Sequence, residues 1–195
     1  FLRNFKINEV LKMSYLVISN KILDFVDILF KSKLLLNKKS VKSICLKENI
    51  PYHSVANINS QSFISKLKAY KHIDLIVSFS APSIFKKELI LIPEKGCINL
   101  HCSLLPKYSG ILPSFWVLYF DEKETGATVH FMDSKIDNGK ILGQNKVNIL
   151  KSDTMFDVIK RTKEAGGKLM VEVIRNIKDD NIFLKNNKVI SKNYF

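Results

Sequence analysis

Cysteine is scarce in this chain, and no cysteine has the spacing of a disulfide or metal motif. The three cysteines, Cys45, Cys97 and Cys102, are an odd number and include no Cys-x-x-Cys pair. Such a set argues against a disulfide framework and is typical of proteins from a reducing compartment. No His-x-x-x-His pattern occurs either. We therefore expect free thiols, no metal site and a cytoplasmic location.

Long apolar runs are also missing. The longest, such as IDLIVSF and LILIP, are far shorter than the roughly 20 residues that a membrane-spanning helix needs. The chain begins with Phe1, and its first residues lack the basic, apolar and small-residue order of a signal peptide. The sequence thus predicts no membrane segment, and its start is typical of the interior of a longer chain.

Acidic residues are outnumbered, since 31 Lys and Arg against 18 Asp and Glu give a net charge of +13. Clustered basic residues bind nucleic acids by releasing counterions from phosphates. Here the lysines are scattered, and the densest patch, residues 31–40, contains no aromatic residues for base stacking. The charge favours a solvated basic surface, and attraction of an anionic partner stays open.

Apolar residues alternate between helical and strand-like spacing in the first half of the chain. The length of 195 residues and the 46% apolar content suit one ordinary core. Residues 1–50 are predicted to be helical, and within them Ser40 begins a short helix that ends near Asn49. Pro51 forces an extended exit into residues 52–55, and a helix follows from Asn59 or Ser60 to about Lys71. Residues 73–80 form an apolar run typical of a strand covered on both sides.

The second half repeats this alternation. A short helix closed by Pro93, a strand over 96–101 and a helix from Pro113 to about Glu124 precede two strands, which Asn138-Gly139 joins through a turn. A long helix follows Asp153, with a candidate kink at Gly166-Gly167. The pattern predicts an α/β fold, a Rossmann-like and mostly parallel doubly wound sheet.

The stretch GCINLHCSLLPKYSG, residues 96–110, places polar side chains at the carboxyl end of a predicted buried strand. Open parallel sheets bind ligands at that edge. Side chains alternate along a strand, so Asn99 and His101 project to one side and Cys102 to the other. A Cys-His nucleophilic pair is therefore disfavoured, whereas an amide and an imidazole converge. The alternative is that both polar residues merely end a strand.

Three blocks occur in a fixed order: INLHCSLLPKYSG, ETGATVHFMD and IDNGKILGQ. Together they resemble the catalytic domain of the 10-formyltetrahydrofolate-dependent formyltransferases, a family that includes methionyl-tRNA formyltransferase, glycinamide ribonucleotide transformylase and amino-sugar N-formyltransferases. The resemblance covers about residues 73–150 and continues more loosely to the end. It places the catalytic Asn, His and Asp of that family on Asn99, His101 and Asp137.

The resemblance also implies that 10-formyltetrahydrofolate is the co-substrate, with two segments as its binding site. The residues that resemble the wall of the pterin pocket are Pro82, Ser83, Ile84 and Phe85. Those that resemble the folate-binding loop are Ser103, Leu104, Leu105 and Pro106. A flat pteridine needs an apolar slot with a few polar contacts, although ordinary loop packing explains the leucines equally well.

The same chemistry assigns roles to the polar residues. Attack of an amine on a formyl carbon develops an oxyanion, to which Asn99 and His101 can donate hydrogen bonds. Asp137 would hold and charge-stabilise His101 while protons move. Alternatively, Asp137 merely starts the DNG turn. His130 resembles a family position too, and we expect a structural or indirect role for it.

The chain departs from the family at three points. Cys102 stands where the family most often has proline, the leading Rossmann strand and its glycine turn are not visible, and no basic carboxyl-terminal domain follows. We expect residues 1–195 to form a single, marginally stable catalytic domain without its first strand or strands. The expected acceptor is a small amine, such as an amino sugar. Alternatives are transfer to methionyl-tRNA, formyltetrahydrofolate hydrolysis, or a non-catalytic module, and the oligomeric state is not predicted.

Overall fold

The computed structural model describes residues 40–187. By backbone contacts they fall into two compact units, residues 40–56 and 57–187. The helical region predicted before residue 40 lies outside the described residues. The prediction that the first strand or strands are missing also concerns that part of the chain. The single domain over residues 1–195 therefore stays a prediction.

The first unit contains one helix, α1 (Val41–Lys47). Ser40 caps it as predicted, because the Ser40 hydroxyl accepts a 3.1 Å hydrogen bond from the backbone N–H of Ser43. Residues 52–55, which follow Pro51, form no strand. The sheet begins later, in the second unit.

The second unit alternates helices and strands, which confirms the α/β class. Its helices are α2 (Gln61–Lys68), α3 (Lys87–Ile90), α4 (Pro113–Tyr119) and α5 (Met155–Lys178), and its strands are β1 (Ile76–Phe79), β2 (Cys97–His101), β3 (Glu124–Phe131) and β4 (Ile141–Asn148). Helix α4 stops short of the predicted end near Glu124, because Asp121 adopts a positive φ of 52° and Glu124 begins β3. No helix within residues 40–187 combines the length and apolar content that crossing a bilayer requires.

The described sheet has the order β1-β2-β3-β4 and is mixed. Only β1 and β2 pair in parallel, while β2 with β3 and β3 with β4 are antiparallel. The prediction of a mostly parallel sheet is thus wrong for this part, since the short turn between β3 and β4 can join only antiparallel strands. In β1, Val77 and Phe79 are 42% and 45% exposed, so the residues in the range 40–187 do not cover this strand on both sides as predicted.

Helix α5 covers one face of the sheet. The buried side chains that form this core are Ile98, Leu100, Ala127, Val129, Leu169, Met170, Val173 and Ile177. The helix is continuous through Gly166-Gly167, so these glycines do not interrupt it. A Cβ on Gly166 would lie 2.7 Å from the Leu100 side chain, which shows that Gly166 permits close packing on the sheet.

The opposite face of β2 and β3 anchors the loop that follows β2. The fully buried Thr128 hydroxyl donates to the carbonyl of Ser103 at 2.6 Å and accepts from the N–H of Leu105 at 3.1 Å. It also accepts from Nε2 of Gln144 at 3.0 Å. A hydroxyl has one donor and two acceptor sites, so this group is saturated. It fixes the start of the loop to the sheet.

We predict that Thr128→Val lowers the free energy of unfolding by about 2–4 kcal/mol. Valine has nearly the same shape but leaves the buried Leu105 N–H and Ser103 carbonyl without this partner. Urea denaturation of the wild type, Thr128→Val and the hydroxyl-retaining Thr128→Ser measures the effect. A valine variant as stable as the serine variant would contradict this account of the loop.

Candidate active site

A cavity of about 860 Å³ opens at the carboxyl end of β2. Asn99 and His101 line it from β2, and Asp137 lines it from the connection between β3 and β4. Their elements meet here because β2 pairs with β3, and β3 continues into the turn that contains Asp137. The three residues that the resemblance indicated therefore share one cavity.

The carboxylate of Asp137 lies between two imidazoles. Its Oδ2 is 3.4 Å from Nδ1 of His101, and its Oδ1 is 3.4 Å from Nε2 of His130. It also accepts a 2.8 Å hydrogen bond from the N–H of Gly110. The side chain is only 10% exposed, so these partners replace most of its hydration.

The remaining nitrogen of each imidazole contacts a backbone carbonyl. Nε2 of His101 lies 2.7 Å from the carbonyl oxygen of Tyr108, and Nδ1 of His130 lies 2.7 Å from that of Phe131. A carbonyl oxygen only accepts, so both of these nitrogens carry hydrogen and donate. In neutral His101 the nitrogen that can accept a proton is consequently Nδ1, which faces Asp137.

His130 belongs to this group through Asn99 as well. Nδ2 of Asn99 lies 3.3 Å from Nε2 of His130, and the two residues are direct partners in the β2–β3 register. The His130 ring thus touches two of the three site residues, so an indirect role through Asn99 and Asp137 stays the prediction for it. If the sequence had indicated the antiparallel pairing of β2 with β3, that pairing would have placed His130 opposite Asn99.

Burial and charge shift the pKa values of the site in a definite direction. Burial lowers the pKa of His101 below 6.5, although the charge of Asp137 opposes this shift. For Asp137, burial raises the pKa, but the hydrogen bond with His130, the charge of His101 and the Gly110 N–H outweigh it, so the pKa is lowered. At neutral pH the site therefore holds a neutral His101 beside a carboxylate.

Cys102 also lines the cavity, but its side chain faces α5, unlike those of Asn99 and His101. Its thiol interacts with Thr162 and Lys163 of α5. Burial raises the pKa of this thiol, with the Lys163 charge acting against the shift. A thiol with a raised pKa is a poor nucleophile, which agrees with the inference that a Cys-His pair is disfavoured.

The predicted folate residues divide between two places. Pro82, Ser83 and Ile84 line the cavity, and Phe85 is not among its lining residues. The loop residues 103–106 do not line this cavity. Leu105 is buried, and Leu104 and Pro106 line a separate cavity of about 290 Å³.

Several lining residues were not found from the sequence, because no motif marks them. They are Ile111, Leu112, Phe115, Ile136, Met155, Ile159 and Lys163. The last three recur every fourth residue, so helical spacing indicates only that they share one face of α5. Within residues 40–187, no group of three or more His, Cys, Asp or Glu side chains could hold a metal ion.

Comparisons with known proteins cover most of the chain. The family model described as Formyl transferase matches residues 16–174. The chain is 34% identical over 146 residues to the methionyl-tRNA formyltransferase of Clostridioides difficile (strain 630), an alignment that covers 75% of the chain and 47% of that protein. It is 43% identical over 122 residues to the bifunctional polymyxin resistance protein ArnA of Wigglesworthia glossinidia brevipalpis, covering 63% and 18% respectively.

A solved structure has the same fold. The formyltransferase PseJ from Anoxybacillus kamchatkensis, in complex with UDP-4,6-dideoxy-4-formamido-L-AltNAc and tetrahydrofolate, superposes with a TM-score of 0.61 at 25% identity. The match covers 74% of this chain and 71% of PseJ. The chain spans about half of the methionyl-tRNA formyltransferase and a smaller part of ArnA. Because the family model matches more than half of its residues, the chain belongs to the formyl transferase family.

Proposed function

We propose that this protein transfers a formyl group from 10-formyltetrahydrofolate to a primary amine, in the cytoplasm. One observation carries the proposal: a single cavity brings together the Asn99 amide, the His101 imidazole and the carboxylate of Asp137. Formyl transfer needs a donor for a developing oxyanion and a group that accepts a proton. These side chains supply both.

The reaction balances with these groups alone. The amine nitrogen forms a bond to the formyl carbon, the bond from that carbon to N10 of the folate breaks, and a proton passes from the amine to N10. Asn99 donates to the oxyanion of the tetrahedral intermediate. The group formed by His101 and Asp137 accepts the proton and returns it, because the carboxylate stabilises the imidazolium that forms.

The cavity also suits a folate. Pro82, Ile84 and Ile136 contribute apolar surface, while Ser80, Ser83 and Ser114 contribute polar residues. A flat heterocycle requires this combination. The related structure of PseJ contains tetrahydrofolate, which supports the assignment of 10-formyltetrahydrofolate as co-substrate.

For the acceptor we propose an amino sugar or a similar small amine. PseJ, which has the same fold, was solved with a nucleotide-linked formamido sugar. The second candidate is an aminoacyl-tRNA, favoured by the relative named methionyl-tRNA formyltransferase. Competing one nucleotide-linked amino sugar against methionyl-tRNA for a limiting formyl donor decides between them. Formate release without any amine would instead indicate a hydrolase.

We predict that Asn99→Ala and His101→Ala each lower kcat by about 10²–10³-fold while the Kd for folinic acid changes little. The reason is that both groups act on charge that develops only in the transition state. Steady-state kinetics and calorimetric titration with folinic acid measure the two quantities.

Cys102→Ala is the matched control for these variants, since Cys102 lies next to His101 and lines the same cavity. Its kcat should stay near that of the wild type. Loss of catalysis in the cysteine variant with the fold retained, or full activity of both Asn99→Ala and His101→Ala, would show that the site is wrongly assigned.

We further predict that Asp137→Asn moves the acid limb of the kcat/KM profile to lower pH. The Asp137 charge raises the pKa of His101 against the effect of burial, so removing it lowers that pKa further. The wild-type limb should lie below pH 6.5, the ordinary His value. Rate profiles and NMR titration of the His101 ring check the shift, and a limb displaced to higher pH would refute it.

A further inference from the structure

Lys163 brings a positive charge into the wall of the catalytic cavity. It lies on α5 and lines the cavity together with His101 and Cys102. Met155, Ile159 and Lys163 are spaced four residues apart, so they share one face of the helix, and all three line the cavity. The Lys163 charge also acts on the thiol of Cys102, the residue that directly follows β2.

Lys163 forms no ion pair with any residue in the range 40–187, whereas its neighbour Arg161 pairs with Asp153. Among the described residues that line the cavity, Asp137 is the only other one with a charged side chain. The Asp137 carboxylate already contacts the imidazoles of His101 and His130. The positive charge of Lys163 is therefore available to a ligand.

The rest of the wall is largely apolar. Four aliphatic side chains at its edge are strongly exposed: Ile84, Ile111, Leu112 and Ile136. Apolar surface of this kind favours the uncharged body of a ligand, and a nearby cation favours an anionic group on the same molecule. The geometry thus suits an amphipathic substrate with one charged end.

We propose that Lys163 binds an anionic group of a substrate, a carboxylate or a phosphate, while the reacting end of that substrate lies at Asn99 and His101. The inference rests on the proposed function and extends it, because both substrates of formyl transfer can supply the anion. A folate carries carboxylates on its glutamate, and a nucleotide-linked amine carries phosphates.

Lys163→Met is the variant that tests this role, and Lys168→Met is its control. Lys168 is exposed on the same helix and does not line the cavity. The probes are folinic acid, which carries the folate carboxylates, and UDP, which carries only phosphates. Calorimetric titration at low salt should show about fivefold weaker binding of one probe to Lys163→Met. Lys163→Arg should restore the affinity, and Lys168→Met should bind like the wild type.

The outcomes separate the two sources of the anion. Weaker binding of folinic acid assigns Lys163 to the formyl donor, and weaker binding of UDP assigns it to the acceptor. Equal affinity of wild type and Lys163→Met for both probes, with circular dichroism showing the same fold, overturns the inference and leaves the proposed function standing. A wild type that binds neither probe overturns both.

Discussion

The contacts of the Asp137 carboxylate, whose side chain is only 10% exposed, are the interactions on which the candidate site depends. Removing a charge from water is costly unless partners replace its hydration. Here the partners come from three segments, namely His101 at the end of β2, His130 on β3 and the N–H of Gly110 in the following loop. The carboxylate therefore requires these segments to hold one arrangement, and that arrangement places the His101 imidazole beside the carboxylate.

One face of the sheet forms the hydrophobic core, and the opposite face carries the polar residues of the candidate site. Alternating side chains of β2 and β3 place Leu100 and Val129 against α5, and place Asn99 and His130 on the opposite face. The core can thus be packed tightly, down to the close approach at Gly166, without occupying the polar face. Thr128 belongs to that polar face and fastens the loop that carries Tyr108 and Gly110 to the imidazole and the carboxylate.

Local sequence patterns predicted much of this arrangement. They did not predict the features that depend on contacts between segments distant in sequence. The α/β class, the Ser40 cap and the shared side of Asn99 and His101 follow from residue spacing alone, whereas Asp137 was indicated only by the resemblance. The mixed sheet and the place of His130 depend on which strands pair, which no single segment encodes. Nothing in the sequence distinguishes Lys163 from the other lysines, and only the packing of α5 brings it to the cavity.

The central claim is that this site moves a formyl group onto nitrogen, and following the group itself tests it most directly. The protein is incubated with 10-formyltetrahydrofolate carrying ¹³C in the formyl group and with ¹⁵N-labelled amino-sugar nucleotide. NMR should show a formamide carbon with one-bond coupling to ¹⁵N, at a rate that depends on the protein. A ¹³C label that remains on the folate, or appears only as formate, would contradict the account.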